Sequence, residues 1–284
     1  MKRFLLIVNS IKGEAAFEVC RRIENAIEIK GGSCHKTSGF VHKEDIPGDT
    51  ECAIVLGGDG TLLHASKDLM DCDIPLIGVN FGHLGFLADV DADSVEQMVD
   101  RLMSDDYAVE ERMMLEASVR REGKEVFSDS ALNDIVIGRS GIMAVIDFKL
   151  FVNGIRLNSY KADGNIAATP TGSTAYSMSA GGPLVKPSAQ LIVMTPVCPH
   201  TLNTRSIVLE KDDVIEIEIC QSKPAETGES GYVYFDGNIG TPLYSGDIIR
   251  IRKSKNCTKV IKLDSRSFLE VLRRKLNNNE DSQT

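Results

Sequence analysis

The sequence predicts an α/β N-terminal domain with a parallel sheet, followed by a mostly antiparallel, β-rich C-terminal domain. Up to residue 106, apolar strand-like runs alternate with amphipathic helices. From Tyr107 to residue 263, short β-rich runs separated by turn residues dominate instead. The chain has 284 residues, which is enough for two domains with sizeable cores. We therefore predict domains at 1–106 and 107–263, with the active site in the cleft between them.

The elements of the first domain follow from the spacing of its apolar residues. Three continuous apolar runs are typical of parallel strands covered on both faces: Phe4–Val8, Cys52–Leu56 and Pro75–Val79. Three segments have helical spacing or a helix start signal: Glu14–Ile29, Leu62 to about Met70, and Ser94–Met103. Parallel sheets bind ligands outside the carboxyl ends of their strands, so the turns after Leu56 and Val79 are candidate binding sites.

The second domain is predicted from eight short β-rich runs. They are Leu115–Arg120, Ile135–Ile137, Val145–Val152, Ile207–Leu209, Val214–Cys220, Tyr232–Phe235, Ile248–Ile251 and Val260–Leu263. Turn signals such as Asn153-Gly154 and Asp236-Gly237 favour antiparallel hairpins between them. A final amphipathic helix is predicted at 265–276, clearest from Phe268 to Leu276, and is expected to pack on the first domain. Residues 277–284 form a polar tail that is predicted to be disordered.

Composition and charge limit the class of protein. A total of 32 Lys and Arg against 41 Asp and Glu gives a net charge of −9, which argues against nucleic-acid binding and against docking on a membrane. The seven cysteines include no Cys-x-x-Cys pair, so we expect free thiols and a cytoplasmic protein. The apolar run after Met1-Lys2-Arg3 is too short for a signal peptide. No stretch reaches the about 20 apolar residues of a transmembrane helix.

The turn after the Cys52–Leu56 strand carries one carboxylate among three glycines. This turn is Gly57–Thr61, Gly-Gly-Asp-Gly-Thr. Its glycines remove every Cβ around Asp59, so that backbone N–H groups could approach an anion and the chain could take positive φ. Thr61 is a suitable N-cap for the next helix, and a helix N-terminus favours phosphate. The motif alone is compatible both with a tight structural turn and with a phosphate-binding site.

Two polar clusters lie in the second domain. Asn133-Asp134 opens an apolar strand, and the pair is also typical of an ordinary turn. Consecutive strand residues face opposite sides, so both reach one ligand only if the backbone turns there. Thr169–Pro183 is more unusual, because it places six serine and threonine residues and three glycines around a predicted short helix. Tyr176 within it could stack on a ring or donate its hydroxyl, which favours a nucleotide-binding surface.

Together these residues resemble the NAD kinase family, whose members phosphorylate the adenosine-ribose 2′-hydroxyl of NAD to give NADP. Four elements match in order over nearly the whole chain: Gly57–Thr61, Asn80–Leu87, Asn133-Asp134 and Thr169–Pro183. Two further likenesses are Pro199–Leu202 followed by Arg205, and Asp236-Gly237. Family members commonly carry arginine where this chain has Lys161, and lysine keeps the charge but loses the bidentate fork.

The resemblance implies a role for each matched residue. Asp59 would be the catalytic residue, taking or orienting the proton of the 2′-hydroxyl. The implied donor phosphate-binding residues are Gly57, Gly58, Gly60 and Thr61. The implied NAD-binding residues are Asp59, Gly60, Phe86, Asn133, Asp134, Lys161, Asp163, Thr171, Thr174, Ala175, Tyr176 and Ser179. Among these, Asp163 would reach the site of a neighbouring subunit.

Cofactors and partners are implied in the same way. NAD and ATP, or polyphosphate as donor, are the implied ligands, together with a divalent cation, Mg²⁺, on the donor phosphates; the metal ligands are left unassigned. No Walker loop is present in the sequence. A dimeric or tetrameric homo-oligomer is expected. Two alternatives stay open: a non-catalytic NAD-binding sensor, and a lipid kinase of the diacylglycerol type, which shares Gly57–Thr61 but lacks the tyrosine block.

Overall fold

A computed structural model describes residues 1–9, 13–39, 41–81, 85–88, 90–140, 145–201, 203–220, 228–263 and 268–277. The chain splits into two compact units, Met1–Arg112 with Thr258–Thr284, and Met113–Cys257. The predicted domain ranges, 1–106 and 107–263, stay predictions. Gly82, His83, Leu84, Leu202 and residues 278–284 of the tail predicted at 277–284 lie outside the described residues. The first residue of that tail, Asn277, is the last residue of a helix, so the prediction is wrong at this position.

The first unit is built on a parallel sheet, which confirms the α/β prediction. Its strands are β1 (Arg3–Val8), β2 (Ser33–Ser38), β3 (Cys52–Leu56), β4 (Leu76–Asn80) and β5 (Val90–Asp91). They run in the order β5-β4-β3-β1-β2, with every pair parallel. Every residue of β3 and β4 is buried, as continuous apolar runs predict. Val260, near the end of a later strand, pairs in parallel with Leu76 of β4.

The described residues form five α-helices, namely α1 (Glu14–Ile29), α2 (Asp59–Asp68), α3 (Val95–Met103), α4 (Tyr176–Ser179) and α5 (Phe268–Asn277). The buried faces of α1 and α3 share one core with the strands of the first unit. Helix α2 begins at Asp59, with Gly58 as its N-cap, so the prediction of Thr61 as N-cap is wrong. The helix starts earlier than its apolar residues do, because a first turn needs no apolar face.

The second unit is β-rich and antiparallel, as predicted. The strands not yet given are β6 (Ala108–Arg121), β7 (Lys124–Ala131), β8 (Asp134–Arg139), β9 (Ile146–Val152), β10 (Ile155–Ala162), β11 (Gly164–Ala168), β12 (Leu191–Val197), β13 (Ile207–Glu210), β14 (Ile215–Ile219), β15 (Gly231–Phe235), β16 (Asn238–Leu243) and β17 (Ile248–Lys262). One sheet has the order β13-β12-β11-β8-β15-β16, and the strands β10, β9, β14 and β17 pair antiparallel in that order. Strands β6 and β7 pair as a hairpin.

Both sets of strands contribute to one core in the second unit. Its largest fully buried side chains are Phe148 of β9 and Phe235 of β15. Alternate residues of β14 point into this core and are buried, which is the period of a half-buried strand. The core thereby fixes the turns at the ends of β8, β11 and β15, where the polar clusters of the second unit lie.

Several strands differ from the prediction. The predicted runs at Ile248–Ile251 and Val260–Leu263 belong to one long strand, β17, because the charged residues between them alternate outward instead of breaking the strand. Strand β11 was not predicted, since Gly164–Ala168 is short and rich in small residues. The predicted turns at Asn153-Gly154 and Asp236-Gly237 are present, and all four residues have positive φ. In the part of the chain that the structure describes, no helix is long and apolar enough to cross a membrane.

Candidate active site

The carboxylate of Asp59 is held by three backbone N–H groups at the carboxyl end of the parallel sheet. Oδ2 accepts from Phe86 at 2.9 Å, and Oδ1 accepts from Leu87 and Ala88 at 3.1 Å each. Successive N–H groups converging on one anion form a nest that binds negative charge. A carboxylate offers about four lone-pair positions, so roughly one remains open, on Oδ2. The side chain is therefore fixed in direction and still able to accept one more hydrogen bond.

Gly85 allows this close approach. A Cβ added at Gly85 would lie 2.1 Å from Oδ1 of Asp59 and 2.8 Å from its Cγ. Its N–H donates to the carbonyl of Ala88 at 3.2 Å, which closes the turn that carries the three donors. Any side chain at this position would push the carboxylate away from the nest.

We expect Gly85→Ala to lower kcat by about 10²-fold, because a shift of about 1 Å in a positioned group costs that much. Steady-state kinetics with NAD as the varied substrate would measure the loss. Gly48→Ala is the matched control, since a Cβ at Gly48 meets nothing within 4 Å. Wild-type turnover in Gly85→Ala would show that the nest does not set the position of Asp59.

The glycine turn leaves three backbone donors open beside Asp59. The N–H of Gly57 donates to Val79 O, and that of Thr61 donates to Gly58 O, both at 3.0 Å. The N–H groups of Gly58, Asp59 and Gly60 have no acceptor among the described residues, and they lie at the N-terminus of α2. A helix N-terminus with open N–H groups favours phosphate.

The glycines of this turn matter because they lack a Cβ and leave room for neighbouring atoms, and not because they adopt unusual backbone angles. A Cβ at Gly57 would lie 2.3 Å from Oγ1 of Thr61, a hydroxyl that accepts a 2.9 Å bond from Nδ2 of Asn9. Gly58 and Gly60 face open space, with nothing within 4 Å of an added Cβ. None of these glycines has positive φ, so that part of the prediction is wrong.

Phe86 lies half-buried next to Asp59, and its ring contacts helix α5. The ring centroids of Phe86 and Phe268 are 6.4 Å apart, and the planes are inclined by 39°. The ammonium of Lys275 lies 4.2 Å from the centroid of the Phe86 ring. The residue predicted to line the acceptor pocket thus connects Asp59 with the last helix of the chain.

In the second unit, the structure brings Asn133 and the hydroxyl-rich block together. Thr169 donates from its N–H to Asn133 O at 2.8 Å and from its hydroxyl to Leu132 O at 2.6 Å. A Cβ at Gly172 would lie 2.0 Å from the carbonyl oxygen of Asn133. Backbone contact at this distance requires glycine. The two polar clusters of the sequence therefore form one surface.

The block presents both exposed and buried polar groups. Tyr176 is 47% exposed, so its ring is free to stack on a ligand. Ser179 is exposed, and Thr174 and Ala175 are half-buried. Oγ1 of Thr171 is buried and has no hydrogen-bond partner among the described residues. An unsatisfied buried hydroxyl costs about 1–3 kcal/mol, which a ligand that supplies a partner would recover.

Beside Asn133, the buried carboxyl group of Asp134 lies near that of the half-buried Asp236. The pKa of Asp134 is raised from 3.8 to about 7. Burial of the carboxyl group is the larger cause, and the negative charge of Asp236 is the smaller one. Asp236 lies in the hairpin turn after β15, and its carboxylate accepts the N–H groups of Leu132, Asn133 and Asp134 at 2.7–3.1 Å. These bonds fix the backbone of the predicted adenosine-binding pair. Asn133 is the more exposed member of that pair.

The shifted pKa predicts a pH-dependent stability. Asp134 favours its protonated form in the fold, so its contribution is complete below about pH 4 and is lost as the pH rises through about 7. Relative to Asp134→Asn, the wild type should lose about 2–3 kcal/mol of unfolding free energy between pH 5 and pH 8. Urea unfolding of both proteins at the two pH values measures the difference. Parallel pH profiles would contradict the prediction.

Lys161 and Asp163 are not brought to this surface. Asp163 precedes β11 and Thr169 follows it, so the strand separates them by about 20 Å. Lys161 is exposed. The carboxylate of Asp163 pairs with Nη2 of Arg139 at 3.5 Å. Within one chain, these two residues therefore lie at the opposite end of β11 from the hydroxyl-rich block.

Some residues of this arrangement were not predicted as site residues. Asp236 was predicted as a turn residue with a likeness to the family, but no local sequence pattern predicts its contacts with residues 132–134. No local pattern predicts the role of Gly85 either, because that role depends on Asp59, which is distant along the chain. Phe268 and Lys275 were predicted only as part of a helix. Their spacing of seven residues places them on one helix face, which was the available signal.

Comparisons with known proteins give a consistent result. A family model described as the ATP-NAD kinase N-terminal domain matches residues 5–107, and one described as the C-terminal domain matches residues 132–263. A curated protein named NAD kinase, from Lachnospira eligens, is 42% identical over 97% of this chain and 100% of its own length.

Two solved structures share the fold. Yeast NADH kinase complexed with NADH has a TM-score of 0.84 at 23% identity, covering 97% of this chain and 88% of that one. An NAD kinase from Archaeoglobus fulgidus in complex with ATP has a TM-score of 0.76 at 24% identity, covering 95% of this chain and 98% of that one. These likenesses confirm the predicted fold class of an α/β domain with a parallel sheet followed by an antiparallel, β-rich domain.

Proposed function

This chain belongs to the NAD kinase family and is an enzyme that phosphorylates NAD to NADP, and we propose that Asp59 acts on the adenosine-ribose 2′-hydroxyl while the turn around it binds the donor phosphates. The observation that carries these roles is the fixed carboxylate of Asp59 beside three open N–H groups. Neither the sensor nor the diacylglycerol-type lipid kinase is supported by the family matches.

Oδ2 is the atom of Asp59 that we assign to the hydroxyl. Oδ1 already accepts two N–H groups, whereas Oδ2 accepts one. A 2′-hydroxyl donating to Oδ2 would be oriented with its oxygen toward the terminal phosphorus of the donor. Asp59 would take the proton as the oxygen attacks, and the P–O bond to the leaving phosphate breaks. General base catalysis of this kind contributes about 10²–10⁴-fold.

The donor phosphates would lie against Gly58, Asp59 and Gly60. Their open N–H groups and the positive end of the α2 dipole offset the repulsion between the Asp59 carboxylate and a polyanionic donor. Phosphoryl transfer depends mainly on such positioning and charge neutralisation. We propose ATP as donor, and supporting this, the family models describe ATP-NAD kinases.

Mg²⁺ is the proposed metal ion. No group of three His, Cys, Asp or Glu side chains in the described part of the chain could form a metal site. Mg²⁺ usually keeps several waters and binds through substrate phosphates with only one or two carboxylates. The chain fits this mode, because the open N–H groups at Gly58–Gly60 would hold the donor phosphates that carry the ion. When bound, the ion would neutralise charge on the transferred group.

The acceptor is proposed to lie on the surface formed by Asn133 and the hydroxyl-rich block. Asn133 and Asp134 would hold the adenosine, and Tyr176 would stack on a ring of NAD. Thr171, Thr174, Ala175 and Ser179 would form the wall of the site. The buried, unpartnered hydroxyl of Thr171 supports a polar ligand there. Phe86 would line the part of the acceptor site that Asp59 serves.

A homo-oligomer, dimer or tetramer, is proposed because Lys161 and Asp163 lie far from Thr171 within one chain. They would then contact NAD held by a neighbouring subunit. Exposed apolar side chains on the second unit support an interface, with Ile155 at 73% and Ile239 at 69% exposure. Light scattering after size-exclusion chromatography would measure the mass, and a monomer would contradict the proposal.

A reducing compartment, the cytoplasm, is also proposed. All seven cysteines are free thiols, and Cys198 is exposed. Burial raises the pKa of Cys20 to about 11, which keeps that thiol unreactive. Free thiols in this number are typical of reducing conditions.

One assay tests the function and the donor together. The purified chain is incubated with NAD, Mg²⁺ and, in separate reactions, ATP, another nucleoside triphosphate or polyphosphate, and NADP is quantified with an NADP-specific dehydrogenase. NADP is expected with ATP. Parallel reactions with NADH and with diacylglycerol test the acceptor. Absence of product with every donor and acceptor would indicate a sensor, and a phosphorylated lipid would indicate a lipid kinase.

A further inference from the structure

Building on the role proposed for Asp59, we infer that helix α5 positions this carboxylate through the ring of Phe86, with Phe268 and Lys275 as positioning residues. Neither side chain is assigned to contact NAD or ATP. Both belong to the last helix of the chain, and both contact the residue whose N–H binds Oδ2 of Asp59. Their effect on the reaction would therefore pass through one backbone hydrogen bond.

Lys275 and Phe268 share one face of α5. They are seven residues apart, which is two helical turns, so both side chains project on the same side. The Phe86 ring meets this face at two points, the Phe268 ring at 6.4 Å between centroids and the Lys275 ammonium at 4.2 Å from its centroid. An ammonium at this distance is attracted to the negative face of the ring. The helix therefore holds the ring in place from two positions.

A fixed Phe86 ring also fixes the direction of the Phe86 N–H, which donates to Oδ2 of Asp59. The Phe86 ring and the Phe86 N–H are attached to the same Cα, so a side chain fixed by α5 restricts the backbone angles that aim the N–H. Oδ2 has this N–H as its single partner among the described residues, whereas Oδ1 has two. Loosening Phe86 would let the carboxylate rotate about the Oδ1 bonds. Oδ2, the oxygen assigned to the hydroxyl, would lose its direction.

Helix α5 also contains a matched control residue for Lys275, namely Arg274. Arg274 is adjacent to Lys275, carries the same charge and is exposed, but it points about 100° away around the helix. Replacing either residue by methionine changes the net charge and the helix propensity by the same amount. Of the two replacements, only the one at Lys275 removes a contact with Phe86.

We expect Lys275→Met to lower kcat by about fivefold to tenfold, since the thioether chain keeps the length but loses the cation over the ring. The KM for ATP should change by less than about twofold, because the proposed donor-binding groups are untouched. Lys275→Arg should restore kcat to within about twofold, because guanidinium also binds aromatic faces. Arg274→Met should resemble the wild type in kcat, KM and melting temperature.

Phe268→Leu is a second variant that keeps apolar volume in the same place. It should lower kcat in the same way, with a melting temperature that stays within a few degrees of the wild type. A double-mutant cycle gives a readout that a purely structural role would not move. Lys275→Met should add no further loss in an Asp59→Asn background, because the group that it positions is already disabled.

The outcomes separate this inference from the proposed function. If Asp59→Asn keeps wild-type turnover, the role of Asp59 fails, and the inference fails with it. If Asp59→Asn is inactive while Lys275→Met and Phe268→Leu both turn over normally, only the inference is overturned. It is also overturned if Arg274→Met loses as much kcat as Lys275→Met, or if the loss in Lys275→Met follows a lowered melting temperature.

Discussion

Asp59→Asn is expected to remove most turnover while leaving NAD binding nearly intact. Asparagine has the same shape, and its Oδ1 can still accept from Leu87 and Ala88. Its amide nitrogen cannot accept the N–H of Phe86 or the proton of the 2′-hydroxyl. The loss in kcat should therefore be about 10²–10⁴-fold, the range of a general base.

Single-turnover kinetics and calorimetric titration with NAD would separate chemistry from binding for Asp59→Asn. The dissociation constant should stay within about threefold of wild type, since most proposed acceptor contacts lie in the second unit. Asp93→Asn, at an exposed carboxylate on the same unit, should match the wild type in both measurements. A wild-type rate in Asp59→Asn would end its assignment to the reaction.

Gly172→Ala is expected to be the most destabilising single change among the site residues. The added Cβ would lie 2.0 Å from the carbonyl oxygen of Asn133 and 2.8 Å from its Cα, so backbone must move. Overpacking against backbone should cost about 3 kcal/mol of unfolding free energy. It should also weaken NAD binding by about tenfold or more, because Asn133 and the hydroxyl-rich block would separate.

Urea unfolding and NAD titration would measure both effects of Gly172→Ala. Gly138→Ala is the control within the same unit, because its Cβ would meet its nearest atom, Cε2 of Tyr234, at 3.4 Å. That is ordinary contact, and we expect little change in either measurement. A Gly172→Ala variant as stable as Gly138→Ala would show that the contact between Asn133 and the block can relax.

The sequence predicts those parts of the fold that have local signals. Continuous apolar runs predicted β1, β3 and β4, and helical spacing predicted α1 over its full length. Strand β2 is polar, largely exposed and at the sheet edge, so it has no apolar pattern to detect. Strand β17 was divided in two, because its central residues pair through the backbone and carry polar side chains.

The sequence predicts the motifs of the candidate site, but it does not predict how their residues contact one another in the folded chain. The glycine turn and the hydroxyl-rich block were found from residue type and resemblance. The nest around Asp59 depends on N–H groups 27–29 residues away. Asp236 binds the backbone of Leu132–Asp134 from 102–104 residues away. Such backbone contacts have no period in the sequence, and only the folded chain brings them together.

The discontinuity of the first unit has a consequence for how the protein is made. Met1–Arg112 leaves the ribosome first, yet one of the two strand partners of Leu76 is Val260, and the ring of Phe86 contacts Phe268 and Lys275 of α5. Met113–Cys257 is contiguous and can complete its own core before the last strand and helix of the first unit have been synthesised. A nascent chain would thus carry Asp59 before the residues that position it are present, and full kinase activity is expected only after α5 is synthesised.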